Sequence, residues 1–233
     1  MTAGARYARQ TMLPQIGEEG QRRLAAASVL LVGVGGLGSA AALYLTGAGV
    51  GRIGLCDADT VSESNLQRQV LYAEAQIGRP KTEAARERLA ALSSHTRFDL
   101  HPEGFVPHNA RELVARYDLV IDCCDNFPTR YLIDDACAAC GTPWVHGSIG
   151  AFHGQVCLFN HRSGRRYADL YPDREALCAR PRTTAGVVGT VPGVVGTLEA
   201  SEAIKLLAGF GRLLDGRLLT IDLATLETEI IEF

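Results

Sequence analysis

The sequence predicts an α/β fold in which helices cover both faces of a mostly parallel, twisted sheet. Residues 28–32 form a continuous apolar run, which is typical of a strand buried on both faces of a parallel sheet. Glycines follow this run directly, and residues 37–48 carry alanine and leucine at helical spacing. A second strand-like run, Arg52 to Cys56, completes a strand–helix–strand unit, from which such sheets are built.

The rest of the chain extends this unit in order. Further strands are predicted at 97–101, 119–123 and 144–148, and helices at 81–92 and 110–116. Residues 147–159 indicate a turn into antiparallel sheet, and 217–222 with 227–230 alternate as a closing hairpin. We therefore predict a Rossmann-like sheet, extended by antiparallel strands at its C-terminal side, in one domain. Its parts are an N-terminal arm and helix (1–27), a core (28–159), a crossover loop (160–182) and a C-terminal helix and hairpin (183–233).

Composition excludes several classes of protein. Of the 233 residues, 47% are hydrophobic and 21% are charged, which is typical of a globular chain rather than a disordered one. The net charge of −3 argues against a broad basic face, so nucleic acid is not expected as a partner. No apolar run approaches the roughly 20 residues that span a bilayer. The first ten residues lack the apolar core of a secretory signal, and we predict a cytoplasmic protein.

Cysteine and histidine give no clear metal or disulfide pattern. The seven cysteines, an odd number, fit reduced thiols better than a disulfide framework. Cys137 and Cys140 form a CxxC pair within an apolar helical stretch, which favours two small buried residues; metal or redox chemistry is the alternative. His146 and His153 have no partner at a spacing typical of zinc ligands, and we expect structural roles for both.

The glycine run after the first strand predicts a nucleotide site. Gly33, Gly35 and Gly38 fit the pattern G-x-G-x-x-G, with Gly36 between them, and Asp57 lies 19 residues beyond Gly38. Glycine lets phosphate or ribose approach the backbone, the following helix N-terminus favours an anion, and the acid accepts from ribose hydroxyls. This pattern alone points first to an NAD-binding dehydrogenase; the alternative is a tight turn without a ligand.

The residues that follow favour a polyphosphate over a dinucleotide. Asn65, Arg68 and Gln69 come shortly after the second strand, and Pro80 with Lys81 opens a helix, with Pro80 at its first position. A cation at a helix N-terminus is unfavourable unless an anion binds there, and a triphosphate resolves that conflict. Taken singly, Arg68 and Lys81 are equally compatible with exposed charges that flank helices.

A second acid lies at the same predicted edge of the sheet. The fourth strand ends in the run DCCDN, which places Asp125 just beyond a carboxyl end, where parallel sheets bind ligands. Hard cations such as Mg²⁺ prefer oxygen ligands of this kind. Asn126 is a further candidate for contact with the nucleotide, and an N-cap for the next helix is an equally supported role.

Taken together, GVGGLG, DADTVSESNLQRQ, GRPK and DCCDN resemble the ThiF/MoeB/HesA family, the bacterial relatives of ubiquitin-activating enzymes. The resemblance extends from RYARQ to about Leu207. It implies that the glycine turn and Asp57, with Asp59 as a second candidate, hold the adenosine and ribose of ATP. It also implies that Arg68 and Lys81 bind the phosphates, with Asn65 nearby, and that Asp125 coordinates Mg²⁺.

The resemblance further implies a reaction and a partner. A small ubiquitin-like sulfur carrier ending in Gly-Gly places its terminal carboxylate against the α-phosphate of ATP, and loss of pyrophosphate gives an acyl adenylate. The arginine of the family's N-terminal arm matches Arg9, and because that arginine is delivered across a dimer interface, a homodimer is expected. In the family the crossover loop passes over the bound tail of the carrier.

Two departures from the family pattern bear on the reaction. Many relatives carry two CxxC pairs that bind zinc; here the first place holds Arg166 and Asp169, and the second is missing before Phe233, so zinc is not expected. The position of the relatives' reactive cysteine holds Arg182, with Cys178 four residues earlier as a possible nucleophile. We therefore predict an enzyme that stops at the adenylate and relies on a separate sulfur donor.

Three alternatives stay open. A branch of the same superfamily modifies a tRNA adenosine in an ATP-dependent dehydration, and a basic surface patch or tRNA-stimulated ATP use would favour it. A noncatalytic subunit that binds ATP or the carrier is the second alternative, and the presence of Arg68, Lys81 and Asp125 argues against it. A dehydrogenase, the third, would bind NAD. The sequence does not distinguish carriers of thiamin, molybdopterin or siderophore synthesis.

Overall fold

The computed structural model describes residues 3–181 and 186–233, and its strands form one eight-stranded sheet. The strands are β1 (Ser28–Val32), β2 (Arg52–Cys56), β3 (Arg97–His101), β4 (Leu119–Asp122), β5 (Trp144–Gly150), β6 (His153–Phe159), β7 (Arg217–Asp222) and β8 (Thr228–Glu232). Their order is β3-β2-β1-β4-β5-β6-β7-β8. Neighbours are parallel from β3 to β5 and antiparallel from β5 to β8, which confirms the predicted sheet.

Helices cover both faces of this sheet. They are α1 (Ala3–Thr11), α2 (Gly17–Ala26), α3 (Gly36–Ala48), α4 (Lys81–Leu92), α5 (Ala110–Val114), α6 (Phe127–Cys140), α7 (Tyr167–Leu170), α8 (Arg174–Cys178) and α9 (Thr190–Ala208). Val29 and Leu31 of β1 pack in one apolar cluster with α3 and α9, whereas Leu30 and Val32 pack in another with α5 and α6. Because successive strand residues point to opposite faces, an apolar core on both sides requires the unbroken apolar run seen in the sequence. Among the described residues, no helix has the length and apolarity that a bilayer crossing demands.

Glycines in the left-handed region end three of the longer helices. Gly49, Gly141 and Gly209 follow α3, α6 and α9 with φ values of 88°, 69° and 81°. This conformation places little strain on glycine and lets the chain turn away from the helix axis. The predicted end of the C-terminal helix at Gly209 is confirmed.

The crossover segment is more ordered than its sequence predicts. It contains α7 and α8, which have four and five residues, too short for hydrophobic periodicity to reveal. Tyr167 is buried in the core, and Arg166 pairs with Asp134 of α6 at 2.8 Å. The prediction of an irregular segment is therefore wrong for α7 and α8, because these contacts with α6 anchor the chain. Arg182, the predicted match to the relatives' cysteine, lies outside the described residues.

The carboxyl group of Glu199 on α9 is fully buried. Its Oε2 is 3.9 Å from the Cys123 thiol, and its Oε1 accepts no hydrogen bond from the described residues. It also lies against Gly147, where a Cβ atom would come within 2.3 Å of the Glu199 Cδ. Burial raises the pKa of this carboxyl well above its ordinary value, helped by the nearby charge of Asp122.

A Glu199→Gln variant is expected to change the pH dependence of stability. In the unfolded chain the carboxyl ionises above about pH 4.3, whereas the folded protein keeps it protonated, so its contribution to stability falls as the pH rises. The glutamine variant does not lose stability in this way as the pH rises. Its Tm minus the wild-type Tm should therefore be a few degrees more positive at pH 8 than at pH 4. Thermal unfolding across this range measures the slope. Glu87→Gln, which alters an exposed glutamate, is the control; equal slopes for all three proteins contradict the prediction.

Candidate active site

A cavity of about 430 Å³ opens at the carboxyl ends of β1, β2 and β4. β1 lies between β2 and β4 in the sheet, so the chain crosses in opposite directions on its two sides, and ligands of open α/β sheets bind at such a point. The volume is typical of a small-molecule pocket. Nine of the predicted site residues line it: Gly33, Gly35, Asp57, Asp59, Asn65, Arg68, Gln69, Lys81 and Asp125.

The glycine turn divides into two residues that face the cavity and two that allow close packing. Gly33 has a φ of 97°, and a Cβ atom there would lie 2.6 Å from the carbonyl oxygen of Cys123. Gly35 precedes α3 with no described side chain capping the helix, so backbone N–H groups remain available to an anion. A Cβ on Gly38 would lie 2.3 Å from the Gly33 oxygen, and one on Gly36 would lie 2.8 Å from Pro192. Gly36 and Gly38 therefore serve packing and do not line the cavity.

Asp57 ties the end of β2 to the glycine turn. Its Oδ2 accepts the N–H of Val34 at 2.8 Å, and its Oδ1 accepts the N–H of Asp59 at 2.9 Å. Burial raises the pKa of the Asp57 carboxyl, while the positive charge of Lys81 and the two N–H donors oppose the rise. Each oxygen keeps a second lone pair, so Asp57 can still accept from a ligand hydroxyl.

Lys81 is a buried ammonium at the start of α4. Its side chain is 5% exposed, and Nζ lies 2.9 Å from Asp59 Oδ2 and 4.0 Å from Asp57 Oδ2. The helix begins at Lys81, with Pro80 just before it rather than at the predicted first position, because Pro80 has a non-helical ψ of 131°. Asp59, predicted as a second ribose ligand, pairs with Lys81 through Oδ2, and its side chain is 75% exposed, so it can accept from a ligand as well. The two acids provide the anionic charge that the helix N-terminus and the ammonium require together, so the predicted conflict at this helix start does not by itself require a bound triphosphate.

The segment after β2 brings a cation and a buried amide to the cavity. The carbonyl oxygen of Asn65 accepts the N–H groups of Arg68 and Gln69, which folds the segment into a compact turn. Arg68 Nη1 donates to the Ser64 carbonyl at 2.9 Å. Gln69 is buried, and its Oε1 accepts no hydrogen bond from the described residues. Arg68 thus brings a positive charge to the cavity, and Gln69 brings a neutral amide.

The loop after β4 places a carboxylate at the rim. Asp125 is exposed and lines the cavity, and Asn126 Nδ2 donates to Asp125 Oδ1 at 3.2 Å. Asn126 Oδ1 accepts the N–H of Thr129 at 2.9 Å and so caps α6. Of the two roles weighed for Asn126, capping is the one the structure shows. The oxygen donors of Asp125 fit Mg²⁺, which binds through one or two carboxylates and phosphate oxygens.

Several residues of the site escaped prediction from the sequence. The loop after β3, residues 103–106, lines the cavity and includes the buried Phe105. The sequence is sufficient to predict that this loop lines the cavity, because β3 ends at the same edge of the sheet as β2. Cys56, Cys123, Cys124 and Thr129 also line the cavity. Tyr72 stays behind the glycine turn, where its hydroxyl donates to the Val34 carbonyl at 2.7 Å.

Other predicted residues lie away from this cavity. Arg9 is exposed on α1, and Cys178, half-buried at the end of α8, packs against the α5–α6 cluster. Neither lines the cavity. In the described part of the chain, no group of three His, Cys, Asp or Glu side chains is arranged to hold a metal ion. All seven cysteines, including the buried Cys137 and the half-buried Cys140, are free thiols.

The fold and the site together define an α/β nucleotide-binding enzyme whose cavity lies at the switch point of its sheet. The chain belongs to the ThiF family, whose model matches residues 7–233. It is 48% identical over 223 residues to a sulfur carrier protein adenylyltransferase of Thermus thermophilus, which covers 93% of this chain and 82% of that protein.

Two other relatives are longer proteins. The adenylyltransferase and sulfurtransferase MOCS3 of Mus musculus is 46% identical over 93% of this chain and 47% of its own length. The probable adenylyltransferase/sulfurtransferase MoeZ of Mycobacterium tuberculosis is 44% identical over 94% of this chain and 57% of its own length. This chain thus spans about half of each of these relatives.

Solved structures support the fold. PaaA aligns with a TM-score of 0.84 and 22% identity over 100% of this chain and 74% of that protein. MccB of E. coli, solved with ATP, aligns with a TM-score of 0.84 and 21% identity over 97% of this chain and 71% of its own. Identities this low establish the shared fold alone.

Proposed function

We propose that this protein is an ATP-dependent adenylyltransferase that acts on the C-terminal glycine carboxylate of a small ubiquitin-like sulfur-carrier protein. The observation that carries the proposal is the convergence of Arg68, Lys81 and Asp125 with the glycine turn in one cavity. A triphosphate needs several cations to balance its charge, whereas a dinucleotide site does not require this combination of Arg68, Lys81 and Asp125. The name of the Thermus relative, which covers most of that protein, supports the same activity.

The reaction joins a carboxylate to the α-phosphate of ATP. A carboxylate oxygen of the carrier attacks the α-phosphorus, the bond from that phosphorus to the bridging oxygen of the β-phosphate breaks, and pyrophosphate leaves with the electron pair. The products are an acyl adenylate and pyrophosphate, and no oxidant or reductant is needed. Because the carboxylate is already ionised at neutral pH, the enzyme does not need a general base for this step.

The contribution of the protein is positioning and charge. N–H groups at the start of α3 hold phosphate, Asp57 accepts from ribose, and Gln69 lies against the adenosine half. Lys81 and Arg68 stabilise the charge that develops on the departing pyrophosphate. Asp125 would hold Mg²⁺, and that ion would supply positive charge against the phosphate oxygens.

The complete enzyme in this proposal is a homodimer. Arg9 is exposed and does not line the cavity of its own chain, so its predicted role requires a second copy. An apolar groove between α3 and α9 supports such a partner, since it displays Tyr44 at 58% and Val70 at 66% exposure. Exposed apolar surface of this kind marks interaction sites.

Sulfur transfer lies outside the proposed reaction. Cys178 is packed beside the core away from the cavity, which supports an enzyme that stops at the adenylate and a separate sulfur donor. A cytoplasmic location, where thiols stay reduced, agrees with seven free cysteines.

Exchange of labelled pyrophosphate into ATP tests the proposal. The purified protein is assayed with Mg²⁺ against a panel of carriers that end in Gly-Gly, each paired with a truncated form that lacks the terminal glycine. We expect exchange with at least one carrier and none with its truncated form. A protein that binds ATP but catalyses no exchange with any carrier, or that exchanges only with tRNA present, contradicts the proposed function.

A further inference from the structure

A buried set of charged side chains surrounds the loop that carries Asp125. Asp122, fully buried at the end of β4, accepts the N–H of Cys124 through Oδ1 at 3.0 Å. Arg130, buried on α6, donates from Nη2 to the carbonyl oxygen of Cys124 at 3.1 Å. The backbone N–H and carbonyl of Cys124, the residue just before Asp125, are therefore held by two side chains of opposite charge.

The two charges also hold each other. Arg130 Nε lies 3.4 Å from Asp122 Oδ2, and the same oxygen is 2.8 Å from Nδ1 of the buried His146. The hydrogen bond from His146 and the charge of Arg130 keep the pKa of Asp122 below its ordinary value, although burial acts in the other direction. An ionised carboxylate only accepts, so His146 Nδ1 carries the hydrogen.

The other ring nitrogen of His146 connects this set of charged side chains to residues further from the cavity. Its Nε2 lies 3.3 Å from Gln155 Nε2, and Gln155 also donates to the hydroxyl of Tyr171 at 2.6 Å. Burial lowers the pKa of His146, so the ring is neutral and its Nε2 accepts from Gln155. The orientation of the ring is thus fixed from both sides.

We propose that Asp122, Arg130 and His146 are positioning residues that fix the loop after β4 and thereby hold Asp125 against the cavity. This inference rests on the proposed function, in which Asp125 binds Mg²⁺. Asp122 and Arg130 make the direct contacts to Cys124, and His146 holds the Asp122 carboxylate in the required orientation.

Stability does not account for this arrangement. Removing two charges from water costs several kcal/mol each, and apolar side chains in place of a buried ion pair often leave stability equal or higher. An apolar pair, however, would leave the N–H and the carbonyl of Cys124 without hydrogen-bond partners. The charged set therefore fixes a single geometry of the loop. Replacing supporting groups of this kind typically changes metal affinity or activity by about 10- to 100-fold.

Two conservative variants test the proposal. Arg130→Lys keeps the charge but loses the planar fork that reaches both Asp122 and Cys124, and Asp122→Asn keeps the shape but loses the charge. Glu202→Gln is the matched control, because Glu202 is also a buried carboxylate that accepts a backbone N–H, from Leu214, and pairs with a cation, Lys205, elsewhere on α9. Tm is measured first, to confirm that each variant is folded.

The first measurement is hydrogen–deuterium exchange of the ligand-free protein. Amides of residues 124–126 should exchange about tenfold faster in both test variants and at the wild-type rate in Glu202→Gln. The second is titration of ATP binding with Mg²⁺. The half-saturating Mg²⁺ concentration should rise about tenfold, while ATP binding in a chelator stays unchanged.

The outcomes separate this proposal from the proposed function. Folded test variants that match Glu202→Gln in both measurements overturn the positioning role. If only Arg130→Lys folds, its result decides alone. An Asp125→Ala variant that keeps the wild-type Mg²⁺ dependence shows that the metal assignment is wrong, and the amide exchange rates then decide whether the loop is held as proposed. Absence of carrier-dependent exchange in the wild type overturns the proposed function alone.

Discussion

Replacing Lys81 with methionine is expected to lower kcat/KM for ATP in carrier-dependent pyrophosphate exchange by about 10²- to 10³-fold. The Lys81 side chain is 5% exposed and its ammonium lies beside Asp57 and Asp59 at the cavity, so little water screens it from a bound phosphate. Methionine preserves the apolar stem and removes the charge. Initial rates of exchange across a range of ATP concentrations measure the change.

The controls separate loss of charge from loss of structure. Arg79→Met removes a cation two residues away that pairs with Glu87 and does not line the cavity, and its rate should stay near that of wild type. In the Lys81→Met variant Asp59 loses its partner, so a double variant that adds Asp59→Asn should recover part of any lost Tm without recovering the rate. A Lys81→Met enzyme with a nearly normal rate contradicts the phosphate role.

Much of the sheet and of the glycine turn could be predicted because their signals are local. β1 and β2 were placed at their observed bounds, since an apolar run with a glycine turn at its end has few other structures available. The sequence order of strands and helices then determines which carboxyl ends share an edge. That reasoning predicts Asp57 and Asp125, whereas Arg68 and Lys81 depend on the family resemblance for their predicted roles; the structure brings all four to one cavity.

The other features of the fold and the site depend on contacts between residues that are far apart in the sequence. Asp59 follows a strand end as Asp57 does, and only the packing of α4 shows that Asp59 also pairs with Lys81. Gly36 lies between the motif glycines, and the residue that requires its small size is Pro192, far along the chain. The order of α7 and α8 comes from ion pairs with α6, which no local pattern encodes.

Mixing two inactive variants is expected to restore activity if Arg9 acts in the site of a partner copy. Arg9→Ala alone should lower exchange by about 10²-fold, as removal of a charge that stabilises the transition state does. After subunit exchange with Lys81→Met at equal concentrations, half of the dimers are mixed. Each mixed dimer has one site with both Lys81 and Arg9 and one site with neither, so total activity should recover to about a quarter of wild type.

The same experiment distinguishes the two possible origins of Arg9. If Arg9 served its own chain, every site in a mixed dimer would lack one of the two cations, and no recovery would occur. Arg6→Ala is the matched control, because Arg6 is also exposed on α1 and donates to the carbonyl of Leu92. It should retain wild-type exchange before and after mixing. A protein that stays monomeric at assay concentration yet exchanges at the full rate would contradict the shared site, because α1 then has no second cavity to reach.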